Sequence, residues 1–341
     1  MAAVSVDGLR MSYGRVEAVK GISFDVGEGA FFAFLGSNGA GKSTTINCLT
    51  TLLRPTGGQA SIAGHLLGKD NDAVRRSIGV VFQNALLDPR LSVVENLALR
   101  ARFHGLSRPD RLRRTSELIQ LLDMGSFAKR QYRLLSGGQK RRADIARALI
   151  HHPSVLFLDE PTAGLDPRSR EQVWQAISDV RGLEGMTVFL TTHYMEETER
   201  ADMVCVIESG HIVAQGTPSR LRQKYSTGEL SLYVSDMPEV MKILTHSFPP
   251  GSVTAPITPG DPVRLAVRST RQVKWIMPYL WIYINDFEFR HGSMDDVFLA
   301  LTGRSNEAEV MATAAATTLR TMPGSSSLAS VATDPAEGAT R

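Results

Sequence analysis

Cysteine is almost absent: Cys48 and Cys205 are the only two among 341 residues. Two thiols cannot build a disulfide framework or a cysteine-rich zinc site, and they fit a reducing compartment. An excess of one charge is lacking too. Lys and Arg number 38 against 35 Asp and Glu, a formal net charge of +3. That balance gives no electrostatic case for nucleic acid as a partner. No run approaches the ~18 apolar residues of a membrane span. Met1–Arg10 has no basic segment followed by an apolar core, so no signal peptide is expected. The chain is expected in the cytoplasm, with any membrane work depending on another protein to hold it there. Glycine (29) and proline (16) are at ordinary levels, which excludes a collagen-like or low-complexity body.

Hydrophobic residues make up 43% and charged residues 21% of the chain, as in globular proteins. The length suggests two domains. Up to about residue 224, short apolar runs alternate with helical patterns. Val4–Val6, Ile22–Val26, Phe31–Leu35, Ile78–Phe82, Val155–Leu158, Val188–Leu190 and Val204–Ile207 read as strands. Lys42–Leu52, Ser92–Phe103, Asp110–Met124, Gly138–Ile150 and Pro167–Arg181 read as helices. Nearly continuous apolar strands between helices predict an α/β fold with a largely parallel sheet. Residues 84–150 carry helices and no convincing strand, and read as a helical insertion.

Beyond Lys224 the order changes. Strands at Glu229–Val234, Gly251–Ala255, Val263–Val267 and Ile282–Phe289 interleave with helices at Pro238–His246, Thr270–Leu280 and Asp295–Leu301. This β-α-β-β-α-β-α order over 225–304 suits a small α+β, ferredoxin-like domain. Residues 305–341 are rich in Ala, Ser and Thr and read as a flexible tail.

The segment Gly36-Ser37-Asn38-Gly39-Ala40-Gly41-Lys42-Ser43 matches G-x-x-x-x-G-K-[ST] between an apolar strand and a helix. Glycines let such a loop curl until successive N–H groups point at phosphate oxygens. The following helix start adds partial positive charge. Lys42 would reach the β- and γ-phosphates and Ser43 a magnesium ion. Downstream, Val155–Leu158 ends in Asp159-Glu160. In a phosphate-loop fold the first carboxylate can hold magnesium, and the second can orient or deprotonate water.

Leu135-Ser136-Gly137-Gly138-Gln139 resembles the signature of ATP-binding-cassette (ABC) ATPases. Gln83, Asp166 in Ala163-Gly164-Leu165-Asp166, and His193 complete an ordered set of six motifs over Val4 to Lys224. The resemblance implies a P-loop ABC ATPase core with ATP and Mg²⁺ as cofactors. It assigns nucleotide binding to Tyr13, Gly36, Ser37, Asn38, Gly39, Ala40, Gly41, Lys42, Ser43 and Thr44, with Tyr13 stacking on the base. Ser136, Gly137, Gly138, Gln139 and Asp166 would face ATP held by a second copy in a head-to-tail homodimer. Glu160, His193, Gln83 and Lys42 would be catalytic, and Ser43, Gln83 and Asp159 would bind the metal. Ser37 departs from the proline many cassettes have there.

Arg141–Ala146 and Met294–Gly303 resemble the ATP-binding subunits of daunorubicin-resistance-type exporters. This implies a motor on the cytoplasmic face of the plasma membrane, working with a separate polytopic permease and driving export of drugs or other lipophilic compounds. Asn84–Leu91 would meet that permease, with Ala85, Leu86 and Leu87 either lining a groove or packing inside. The C-terminal domain would serve dimerisation or regulation. Two other readings remain, an importer ATPase and a non-transport cassette acting on DNA or ribosomes. Lys42 and Ser136 stand only 94 residues apart and hold no heptad segment between them, which disfavours a chromosome cassette. The arginines Arg108, Arg111, Arg113 and Arg114 read as a solvated helix start, and Lys140-Arg141-Arg142 has the same ordinary alternative.

Overall fold

A computed structural model describes residues 2–258 and 260–303; the expected tail at 305–341 lies outside the described residues. The strands β1 (Ala2–Tyr13) and β2 (Val16–Gly27) form a long hairpin, and β3 (Phe31–Gly36) leads through the phosphate loop into α1 (Lys42–Leu49). Then come β4 (Gly57–Ile62), β5 (His65–Leu66), α2 (Asn71–Ser77) and β6 (Ile78–Val81). Three helices, α3 (Val93–Phe103), α4 (Arg108–Leu121) and α5 (Gly137–Leu149), precede β7 (Val155–Asp159). The cassette continues with α6 (Pro167–Glu184), β8 (Thr187–Thr192), α7 (Met195–Thr198), β9 (Met203–Glu208), β10 (His211–Gly216) and α8 (Pro218–Tyr225).

The central sheet has the order β10-β9-β3-β8-β7-β6. Every pair is parallel except β10 with β9. Strands β3, β7 and β8 are buried along their whole length, as their unbroken apolar runs require of strands covered on both faces. Alternation along β3 divides two cores. Phe31, Ala33 and Leu35 face the helices, while Phe32 and Phe34 face an antiparallel sheet of order β2-β1-β4-β5. Phe32, Phe157 and Phe189 pack there with ring centroids 5.1 and 5.2 Å apart. Both cysteines are buried and unpaired, and burial alone raises the Cys48 thiol to about 11.

In the C-terminal part, β11 (Gly228–Val234), α9 (Met237–Ser247), β12 (Val253–Thr254), β13 (Val263–Val267), α10 (Thr270–Leu280) and β14 (Ile284–Arg290) follow in turn. The antiparallel order β12-β13-β11-β14 is that of a split β-α-β fold. Its core joins Leu230, Leu265, Leu244 and Ile276.

Three expectations are corrected and one group of strands is added. First, α1 stops at Leu49, because Thr51 takes a positive φ of 64° that a helix cannot carry. Second, β4, β5 and β10 were not legible as strands. Third, Arg114 is buried, not solvated, and its guanidinium donates to the Leu149 carbonyl at 2.8 Å. Finally, the last helix, at 294–303, was expected in the C-terminal core. Its Met294 and Val297 instead join the cassette core, with Phe298 and Leu301 packed against it.

Candidate functional site

The phosphate loop owes its curl to backbone that only glycine takes without strain. Gly39 and Gly41 have φ of 85° and 109°. A Cβ at Gly41 would also meet the Ala18 carbonyl at 2.7 Å. Ser37 compensates for the missing proline ring by tethering: its hydroxyl donates to Glu208 at the end of β9, at 2.9 Å. Lys42 is buried, and its ammonium donates to the carbonyls of Gly36 at 2.8 Å and Ser37 at 3.0 Å. Burial holds it below the usual lysine value, opposed chiefly by the nearby Glu160 carboxylate.

Parallel pairing of β3, β8, β7 and β6 brings three further loops to the same sheet edge, the C-terminal end, where ligands of such sheets bind. Glu160 is the meeting point. Its carboxylate lies 3.6 Å from Lys42 Nζ and 3.2 Å from His193 Nδ1, and it accepts from Gln83 Nε2 at 2.9 Å. Glu160 has a φ of 45°, a strained backbone for a long side chain. Beside it, Asp159 Oδ1 accepts from Thr191 at 2.5 Å and lies 3.5 Å from the Ser43 hydroxyl. Burial raises the Asp159 carboxyl, and the Thr191 donor works against that rise. Ser43, Asp159 and Gln83 offer the oxygen donors a hard divalent cation takes.

Tyr13 ends β1 half exposed, with its ring free to meet a flat ligand. Ser136 caps α5 in a reciprocal box with Gln139. Ser136 and Gly137 are exposed, whereas Gly138 is buried against α6: a Cβ there would meet Ser169 Oγ at 2.7 Å. Asp166 caps α6 by accepting from Ser169 N at 3.0 Å. Ser136, Gly137 and Asp166 therefore form a second exposed edge, presented outward.

Two buried side chains were missed as site residues. Glu197, in α7, accepts hydroxyl hydrogen bonds from Thr162 and Thr192, tying the loop before Asp166 to the loop of His193. Arg141, in α5, donates to carbonyls on both sides of Glu160. For Glu197 the sequence signal was its place a few residues after His193; Arg141 stood in the Arg141–Ala146 stretch of the finer family resemblance, where nothing gave it a site role.

With this geometry, likeness to known proteins becomes specific. The profile of the ABC transporter family matches residues 19–163. The daunorubicin/doxorubicin resistance ATP-binding protein of Streptomyces peucetius is 39% identical over 312 residues, 88% of this chain and 92% of its own. The chain belongs to the ABC transporter ATP-binding proteins. It is an ATPase of that family, and ATP is its nucleotide. A Nod factor export ATP-binding protein of Ralstonia nicotianae is 36% identical, over 88% of this chain and 94% of its own. Among solved structures, a dimeric cassette in a post-hydrolysis state with ADP and phosphate matches with a TM-score of 0.57 at 29% identity. It covers 63% of this chain and 98% of its own. Among the described residues, no helix of this ABC subunit is long and apolar enough to cross a membrane.

Proposed function

We propose that the chain is the motor of an exporter for drugs or other lipophilic compounds, acting as an ATP-driven homodimer on separate permease subunits at the cytoplasmic membrane face. The convergence of Lys42, Gln83 and His193 on Glu160 carries the catalytic part of this reading. Phosphate oxygens replace the carbonyls that Lys42 now contacts, and the freed loop amides take the remaining oxygens. Glu160 holds the attacking water and draws its proton, while Gln83 and His193 fix the carboxylate and the γ-phosphate. Ser43, Asp159 and Gln83 would hold Mg²⁺, which supplies charge neutralisation at the β- and γ-oxygens. Tyr13 stacks on the adenine. The outward edge of Ser136, Gly137 and Asp166 meets ATP held by the second copy.

The groove beside Gln83 supports the permease contact. A cavity of about 500 Å³ there is lined by Leu86, Leu99, Phe103, Arg100 and His104 among others. Leu86 and Phe103 are exposed, as an apolar seat for a partner helix requires. Leu87, by contrast, is buried in the cassette core. The test is Glu160→Gln in the full chain. It should bind ATP, lose turnover by about 10²–10⁴-fold, and accumulate as an ATP-bound dimer in size-exclusion runs. Turnover at the wild-type rate would remove Glu160 from the role of base. Stimulation of the wild-type ATPase by DNA or ribosomes, without a membrane partner in pull-downs, would replace transport by a different function.

A further inference from the structure

Arg141 is 7% exposed and occupies the first turns of α5, the helix that the signature begins. Its fork donates to the Phe82 carbonyl at 2.5 Å, to Asp159 at 3.2 Å, to Glu160 at 2.8 Å and to Pro161. One side chain thus spans two loops. Phe82 immediately precedes Gln83, and the other three carbonyls belong to the turn that carries Asp159 and Glu160. Burial works against the guanidinium charge, yet an arginine stays protonated in proteins. Carbonyl dipoles supply its solvation, with Asp144 close enough to favour the charge electrostatically. A lysine offers a point charge without the fixed planar fork, so it cannot reach both loops in the same way.

The turn it grips needs a grip. Glu160 stands at φ 45°, a conformation that persists in a non-glycine residue only where surrounding bonds over-determine it. Besides Arg141, the residue is held by its own amide, which donates to the Thr191 carbonyl at 3.1 Å, and by its carbonyl, which also accepts from the Ala163 amide at 3.3 Å. Arg141 follows Gly137, the first residue of α5, by about 6 Å of helix rise. Ser136 and Arg141 therefore move as one body.

We propose that Arg141 is a positioning residue that locks the Glu160 turn and the Gln83 loop to the signature helix. When Ser136–Gln139 grip the γ-phosphate of the partner's ATP, the same helix sets the base over the chain's own ATP. This inference rests on the head-to-tail dimer reading of the proposed function. It gives the two nucleotide sites a link through one helix and the hydrogen bonds of one side chain. A misplacement of about 1 Å at a reacting group costs on the order of 10²-fold in rate, so loss of the fork acts on the chemical step and leaves nucleotide binding in place.

The experiment compares the full-length wild type with Arg141→Lys and Arg141→Ala. Four quantities are read: ATP affinity, melting temperature, kcat against KM, and the Hill coefficient of hydrolysis. Arg141→Lys should lower kcat by about 10²-fold, hold KM and ATP affinity within about twofold, and bring the Hill coefficient towards one. In Arg141→Ala, millimolar guanidinium ion should restore part of kcat, which no loss of general packing would allow. A kcat and Hill coefficient unchanged in Arg141→Lys would overturn the proposal. So would a fall in kcat matched by equal losses in ATP affinity and melting temperature, with no guanidinium rescue. Each Arg141 variant is also combined with Glu160→Gln and tested for an ATP-driven dimer. Dimerisation of Glu160→Gln alone but an unaltered kcat in Arg141→Lys sinks only the link. Absence of that dimer sinks the head-to-tail reading itself.

Discussion

Gln83 Nε2 donates to Glu160 Oε2 at 2.9 Å, joining the loop after β6 to the end of β7. The bond holds one carboxylate oxygen while the other, Oε1, lies towards Lys42 and His193. Removing the amide leaves Glu160 free to turn about its side-chain bonds. Gln83→Ala should therefore keep ATP affinity within a few-fold and lower kcat by about tenfold, the cost of a loosened base whose chemistry is retained. Steady-state kinetics with parallel nucleotide-binding titrations measure both. Unchanged kcat would show that Lys42 and His193 suffice to orient the carboxylate.

Lys42→Ala addresses binding instead of chemistry. The ammonium is buried and already desolvated, so phosphate contacts do not have to strip it of water. A charge-assisted hydrogen bond is worth about 1.5–3 kcal/mol, and loss of two to phosphate should weaken ATP binding by at least about 10²-fold. Equilibrium binding at wild-type affinity would refute the phosphate-loop assignment.

Glu197 sets a pH dependence of stability. Its two carboxylate oxygens accept from Thr162 and Thr192, but burial outweighs these donors and raises its carboxyl above the usual glutamate range. The folded state consequently keeps this proton to higher pH than the unfolded chain. The associated stability is complete below the ordinary glutamate value and declines as pH climbs through the raised one. Asp144 and Asp159 are raised in the same direction by burial, so the variant must be compared with wild type at each pH. Glu197→Gln carries no charge, and a threonine hydroxyl can rotate to meet either amide atom. It should gain about 2–4 °C on the wild type between pH 5 and 8 in thermal melts. A variant that loses ground as pH rises would contradict the burial argument.

The groove beside Gln83 separates two neighbouring leucines. Leu86 is exposed at 54% and Leu87 is buried at 8%. Leu86→Glu should leave the melting temperature and basal ATPase near wild type while lowering recovery of the membrane partner. Leu87→Glu should unfold the cassette, because a carboxylate would enter an apolar core without a partner. Equal recovery of partner from wild type and Leu86→Glu would place the docking surface elsewhere.

Legibility in the sequence followed burial on both faces. Strands β3, β7 and β8 are continuous apolar runs and were read within one or two residues of their ends. β4, with sequence GGQASI, buries only Ala60 and Ile62, and its two glycines weaken any strand signal. The motif residues were legible because their chemistry lies in local spacing. Arg141 was hidden because its partners lie 59 and 18–20 residues away. Within Lys140-Arg141-Arg142 nothing marks it as buried, whereas the fold supplies the carbonyls that make burial tolerable. The helix read at Asp295–Leu301 was placed with the wrong core for a similar reason: amphipathic spacing identifies the apolar face of a helix but not what covers it.

That last helix changes what truncation can test. A chain stopped after Lys224 loses the ferredoxin-like sheet, and with it Met294 and Val297, which are 1% and 0% exposed within the cassette core. Any weakened self-association in such a chain would mix loss of the domain's expected dimerisation role with an uncovered cassette. Single substitutions separate the two. Met294→Ala removes buried volume from the cassette and should cost about 2–5 kcal/mol, whereas Leu265→Ala removes it from the C-terminal core, where Leu265 is fully buried. In urea unfolding monitored with and without ATP, Met294→Ala should lower the transition that nucleotide stabilises. Leu265→Ala should leave that transition in place and lower the midpoint of the other. ATP binding to the native state adds stability only to the unit that holds the site, so nucleotide itself reports which unit each substitution has touched. If Met294→Ala leaves the ATP-sensitive transition unmoved, the helix at 294–303 belongs energetically to the C-terminal domain. A chain ending after Lys224 would then test the dimerisation role of the C-terminal domain without uncovering the cassette.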